Sequence, residues 1–99
     1  MNIIQRHRER IIALCLQYKV KSLFVFGSAV TSHFNSQSDI DLLVNFENVD
    51  LYDYADNYFD LKNAFENLFK RNVDLIEEKA IRNPYFKESV NSTKQLIYG

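Results

Sequence analysis

The stretch Ser38-Asp39-Ile40-Asp41-Leu42-Leu43-Val44-Asn45-Phe46 puts two carboxylates at the head of a short apolar run. From Ile40 to Phe46 it reads as a β-strand. Successive side chains point to opposite faces of a sheet, so Ile40, Leu42 and Val44 share one face while Asp39, Asp41 and Leu43 share the other. Unpaired carboxylates beside apolar residues are costly to bury, and neighbouring like charges raise one another's pKa. Asp-Ile-Asp in this setting demands a compensating cation. Oxygen ligands from few protein donors suit Mg²⁺, which keeps waters and completes its shell with substrate phosphates. Asp-x-Asp pairs also occur at strand starts where they only cap or face water, so the pair alone leaves both readings open.

Working outward, Ser22-Leu23-Phe24-Val25-Phe26 is a second apolar run of strand length, ending at Gly27. Gly27-Ser28 then offers a backbone that can approach a ligand closely, with a hydroxyl and an N–H placed to cradle phosphate. Further upstream, Ile4, Ile11, Cys15 and Tyr18 fall at near-helical spacing among Arg6, Arg8, Glu9 and Arg10, which predicts an amphipathic helix over Asn2 to Lys19. Cys15, spaced from Ile11 and Tyr18, reads as a buried helix-face residue rather than a reactive thiol.

Downstream, Leu51, Tyr54, Tyr58, Leu61, Phe65 and Leu68 trace a stripe that predicts a long helix. Asp50 or Asp53 suits its start, and Lys70 with Arg71 suits the negative end of its dipole. Asn72 to Ile76 reads as a third strand, with Asp74 and Ile76 opposite Val73 and Leu75. Glu77 to Ile81 predicts a short helical turn, and Asn83-Pro84 the start of another helix with Pro84 at its first position. The tail Gln95-Leu96-Ile97-Tyr98 is apolar enough to dock on the domain. Strands alternating with helices predict an α/β fold, a mixed sheet of about three to four strands with helices mainly on one face and the aspartates lining the opposite, partly open side. Three carboxylates from Asp39, Asp41 and Asp74 could hold two metals ~3.5–4 Å apart, the arrangement used for in-line attack at phosphorus.

Size and composition bound the alternatives. At 99 residues, 46% of them apolar, the chain has room for one domain, residues 1–99, with a real core. A net charge of −1 argues against binding nucleic acid directly by phosphate neutralisation. One cysteine excludes an intrachain disulfide and a multi-thiolate zinc site, and fits a reducing compartment. Neither an apolar signal-peptide core nor a run of ~20 apolar residues is present, so a cytoplasmic location without membrane contact is expected.

Phe24-Val25-Phe26-Gly27-Ser28, ten residues, and then Asp39-Ile40-Asp41-Leu42-Leu43-Val44 resembles the signature of the DNA polymerase β nucleotidyltransferase superfamily. The short length, the Ser38-to-Leu42 wording and Val73-Asp74-Leu75 resemble its minimal branch, the MNT antitoxins of HEPN/MNT toxin–antitoxin modules. The resemblance implies a polymerase-β-like fold, with Gly27 and Ser28 binding nucleotide phosphates and Asp39 and Asp41 binding both Mg²⁺ ions. It implies that Asp74 joins the catalytic metal and helps activate the attacking hydroxyl. It further implies transfer of AMP from ATP to a tyrosine of a HEPN-domain toxin, in a hetero-oligomer. Val30 and Thr31 stand where many minimal members carry an arginine and a glycine, which removes a bidentate phosphate contact. A contact-only antitoxin that neutralises its partner without chemistry is the alternative, with the aromatic helix from Leu51 to Phe69 as a possible interface. His33, Arg71, Arg82 and Lys87 read as solvated charges or loop residues.

Overall fold

The computed structural model describes residues 2–31, 35 and 37–99. Four strands form one mixed sheet: β1 (Val20–Phe26), β2 (Ile40–Phe46), β3 (Val73–Glu77) and β4 (Gln95–Tyr98), in the spatial order β3-β2-β1-β4. β1 runs antiparallel to β2 and to β4, while β2 and β3 are parallel. A parallel pair needs a crossover, and α3 (Leu51–Phe69) supplies it. β2 and α3 have the limits that their apolar periodicities predict.

The helix-facing side of the sheet presents Leu23, Val25, Ile40, Leu42, Val44 and Leu75 to Ile11, Cys15, Leu61 and Phe65, and all of these are buried. Burial pushes the Cys15 thiol up to about 12, so it stays protonated and inert at neutral pH. Phe65 is 0% exposed at the centre of this layer. Truncating Phe65 to alanine is expected to cost about 3–5 kcal/mol through lost burial and a residual cavity. A small domain has little margin for that loss, so urea titration followed by circular dichroism should show a native state largely lost near 37 °C.

Several local expectations change. The first helix divides into α1 (Asn2–Arg6) and α2 (Arg8–Gln17), with a break at His7. The tail does more than dock, because it adds to β1 as edge strand β4. Asp50 occupies the N-cap of α3 without a side-chain bond, and its carbonyl accepts from the Asp53 N–H at 2.9 Å instead. Lys70 closes α3 in a left-handed conformation, φ 57°, which turns the chain sharply into Arg71 and β3. α4 (Pro84–Thr93) begins as Asn83-Pro84 predicts, with the Asn83 side chain accepting from Tyr85 and Phe86 N–H groups at 2.9 and 3.2 Å. α4 crosses the second face of the sheet, packing Val90 on Phe26 and Leu43 and the Phe86 ring edge-on to Phe26. That face is therefore partly roofed, and the aspartates sit at its uncovered end.

Candidate active site

The site forms where β1 ends and β2 and β3 begin. Antiparallel pairing sets Phe26, the last residue of β1, opposite Asp41. Parallel pairing sets Asp74 beside Asp41 on the same face, one strand further out. Asp39 precedes β2 by one residue, in the connection and not in the strand itself. Asp39 and Asp74 are exposed while Asp41 is half-buried.

The chain leaves β1 through Gly27, whose φ of +71° is a left-handed conformation disfavoured for other residues. Residues Gly27–Val30 then make one 3₁₀ turn, held by the Thr31 N–H and Oγ1, which donate to the Ser28 carbonyl at 3.0 and 2.9 Å. The turn folds back over Asp41. The Ser28 N–H donates to the Asp41 carboxylate, and the Ser28 hydroxyl reaches the Asp39 carbonyl at 3.4 Å. A Cβ built on Gly27 would stand inside the Asp41 carboxylate. Glycine is thus required here both by the turn and by the closeness of the acid.

Electrostatics tie the three acids together. Burial raises the Asp41 pKa, the charges on Asp74 and Asp39 raise it further, and the Ser28 N–H opposes them. Asp41 is therefore a carboxylate whose charge is poorly compensated by the protein. Among the described residues, no three His, Cys, Asp or Glu side chains close into a ready cage for a metal ion. The acids share one open patch instead. An all-oxygen, open set fits Mg²⁺, which is bound through one or two carboxylates and completed by waters and phosphates.

The remaining candidates fall elsewhere. Val30 packs its side chain against the helix-side core, so the turn offers no cation to a phosphate. Arg82 is exposed. Lys87 lines a polar cleft with Asn45 and Lys94, toward the opposite end of β2 from Asp41. His33 lies outside the described residues. Arg71, read from sequence as a solvated charge, instead donates from Nη1 to the carbonyls of Asn35 and Ser38 at 3.0 and 3.1 Å. Its only signal in the sequence was its place, three residues ahead of Asp74.

Comparison with known proteins follows the same lines. The sequence model of the family described as "Polymerase beta, Nucleotidyltransferase" matches residues 9–99. The "Putative protein adenylyltransferase MJ0128" of Methanocaldococcus jannaschii is 37% identical over 97 residues, covering 98% of this chain and 91% of that protein. A solved chain described as a "putative minimal nucleotidyltransferase" superposes with a TM-score of 0.77 at 29% identity, covering 96% of this chain and 95% of its own. A chain from the complex of tri-AMPylated Shewanella oneidensis HEPN toxin with MNT antitoxin superposes with a TM-score of 0.66, covering 96% of this chain and 71% of its own. At 19% identity that last likeness is one of fold alone.

Proposed function

Because this chain belongs to the polymerase beta nucleotidyltransferase family, we propose that it moves AMP from ATP onto a tyrosine hydroxyl of a HEPN-domain partner and so acts as that toxin's antitoxin. The observation that carries the reading is the register of Asp41 against Asp74 beneath the Gly27-Ser28 turn. That register gathers acids on one patch beside backbone donors suited to phosphate.

In this reading Asp39 and Asp41 would hold two Mg²⁺ ions with Asp74 completing the set, and Gly27 and Ser28 would receive the triphosphate. The Ser28 N–H, engaged by Asp41 in the free chain, would be available to a phosphate oxygen once Asp41 had a cation to bind. Bound magnesium supplies charge neutralisation on the phosphates. Asp74, the outermost acid, takes the proton of the acceptor hydroxyl. The hydroxyl oxygen then bonds to the α-phosphorus, the bond to the β-phosphate oxygen breaks, and pyrophosphate leaves. Alignment and electrostatics provide the rate enhancement. A partner in complex suits so open a site, and a chain of this fold is found with a tri-AMPylated HEPN toxin.

The test is to incubate the protein with ATP, Mg²⁺ and the protein encoded beside it, then read the partner's intact mass. Gain of one or more AMP units on a tyrosine, absent with Asp39→Ala/Asp41→Ala, is the expected result. An unmodified partner that is still neutralised, equally well by the double variant, would replace catalysis with contact alone. Two observations favour that second reading. Val30 brings no guanidinium to the turn, and Leu51 and Tyr52 stand 85% and 93% exposed on α3 as apolar contact surface.

A further inference from the structure

We infer that Arg71 is a positioning residue for the acidic site, clamping the segment that delivers Asp39 so that its carboxylate stays beside Asp41. Asp39 lies outside the β2 ladder, on a connection whose regular pairing starts only with the Ile40 N–H, which donates to the Asn72 carbonyl at 3.1 Å. The contact from the Ser28 hydroxyl to the Asp39 carbonyl, at 3.4 Å, is long for an O–H donor. The shorter tethers come from Arg71, at 3.0 Å to the Asn35 carbonyl and 3.1 Å to the Ser38 carbonyl.

Those two carbonyls belong to residues already bonded to each other. The Ser38 N–H donates to the Asn35 carbonyl and the Asn35 N–H to the Ser38 hydroxyl, both at 3.1 Å. Arg71 therefore holds two residues that also hold each other, and Asp39 follows directly after the second. The arginine's own position is fixed from behind. Lys70 turns in the left-handed conformation at the end of α3, and the Val73 N–H is held by Glu66 at 3.1 Å. Asp74 follows three residues after Arg71, so this one side chain links the strand bearing Asp74 to the segment bearing Asp39. Both bonds leave the one nitrogen Nη1, whose two N–H directions are fixed in the guanidinium plane, whereas an ammonium turns freely at the end of a flexible stem.

This rests on the reading that Asp39 and Asp41 hold a divalent ion, and the experiment separates the two claims. Mn²⁺ is titrated into wild type, Asp39→Asn, Arg71→Ala and Arg71→Lys, with free Mn²⁺ read by electron paramagnetic resonance and melting temperature read with and without the ion. Residues that orient metal ligands typically change affinity 10–100-fold when removed. Arg71→Ala is expected to bind Mn²⁺ about tenfold more weakly and to lose much of the Mn²⁺-induced rise in melting temperature, with Arg71→Lys between it and wild type. If Arg71→Ala fails to fold, the same ordering between wild type and Arg71→Lys carries the test. Mn²⁺ affinity equal to wild type in the Arg71 variants, while Asp39→Asn loses it, would overturn the inference and leave the metal reading intact. So would a lower metal-free melting temperature with an undiminished Mn²⁺ increment, which is what a merely structural arginine gives. Absence of Mn²⁺ binding by wild type itself would sink the metal reading, and the inference with it.

Discussion

Gly27→Ala is expected to lower nucleotidyl transfer at least about a hundredfold while leaving the chain folded. Two costs fall on one methyl group. Alanine at φ +71° pays roughly 1–2 kcal/mol for the left-handed backbone. More damaging, the new Cβ would occupy the place of the Asp41 carboxylate, with its Cγ only 3.1 Å away. The carboxylate must swing aside, the Ser28 N–H bond breaks, and the turn shifts from the acids it faces. Displacements on the order of 1 Å at a reacting centre cost about a hundredfold in rate. The loss should appear mainly in kcat, with a melting temperature depressed by roughly 4–15 °C for a domain this small. Steady-state AMP transfer and a thermal melt on the same preparation check both. Activity near that of wild type would mean that the turn and Asp41 do not work together.

The same two residues show what the sequence makes legible. Period-two alternation from Ile40 to Phe46 and the stripe from Leu51 to Leu68 locate β2 and α3, although α3 buries only its second half, at Leu61, Phe65 and Phe69, and leaves Leu51 exposed. Two of the acids come together on that account, since Asp41 and Asp74 sit at matching places on parallel neighbours. β4 is harder to read. Only Ile97 of its four residues is buried and Leu96 is 57% exposed, so its strand character comes from pairing with β1 and not from its own pattern. The break at His7 is equally silent, because the apolar spacing continues across it into α2. Arg71 escapes for a different reason. The Asn35 and Ser38 carbonyls that it holds are backbone groups of another segment, which any residue could supply, and no side-chain pattern encodes such a contact. Asp39 falls on the Asp41 face by alternation, but it lies one residue ahead of the ladder, on a connection held by Arg71 and the Ser28 hydroxyl.

Asp41→Asn is expected to move activity and stability in opposite directions. Transfer should fall by about a thousandfold or more, because charge neutralisation at a metal site is worth several kcal/mol and each 1.36 kcal/mol is a factor of ten. The metal-free melting temperature should nevertheless rise at neutral pH. The folded chain raises the Asp41 pKa above 3.8, first by burial and then by the charges of Asp74 and Asp39. A folded-state pKa raised above the unfolded value means that folding favours the protonated acid. The associated stability is full at pH below the unfolded value and is lost as pH climbs through the folded one. At pH 7 the ionised Asp41 thus weighs against the fold, and a neutral amide of the same shape removes that burden while its oxygen still accepts from the Ser28 N–H. Two signatures separate this from an ordinary surface change. The melting-temperature advantage of Asp41→Asn should shrink as pH is lowered toward the aspartate range, and Mg²⁺ should stabilise wild type while leaving the variant unmoved. A variant less stable than wild type at pH 7 without metal would show that the acid is compensated inside the protein, leaving no electrostatic reason for a cation at this patch.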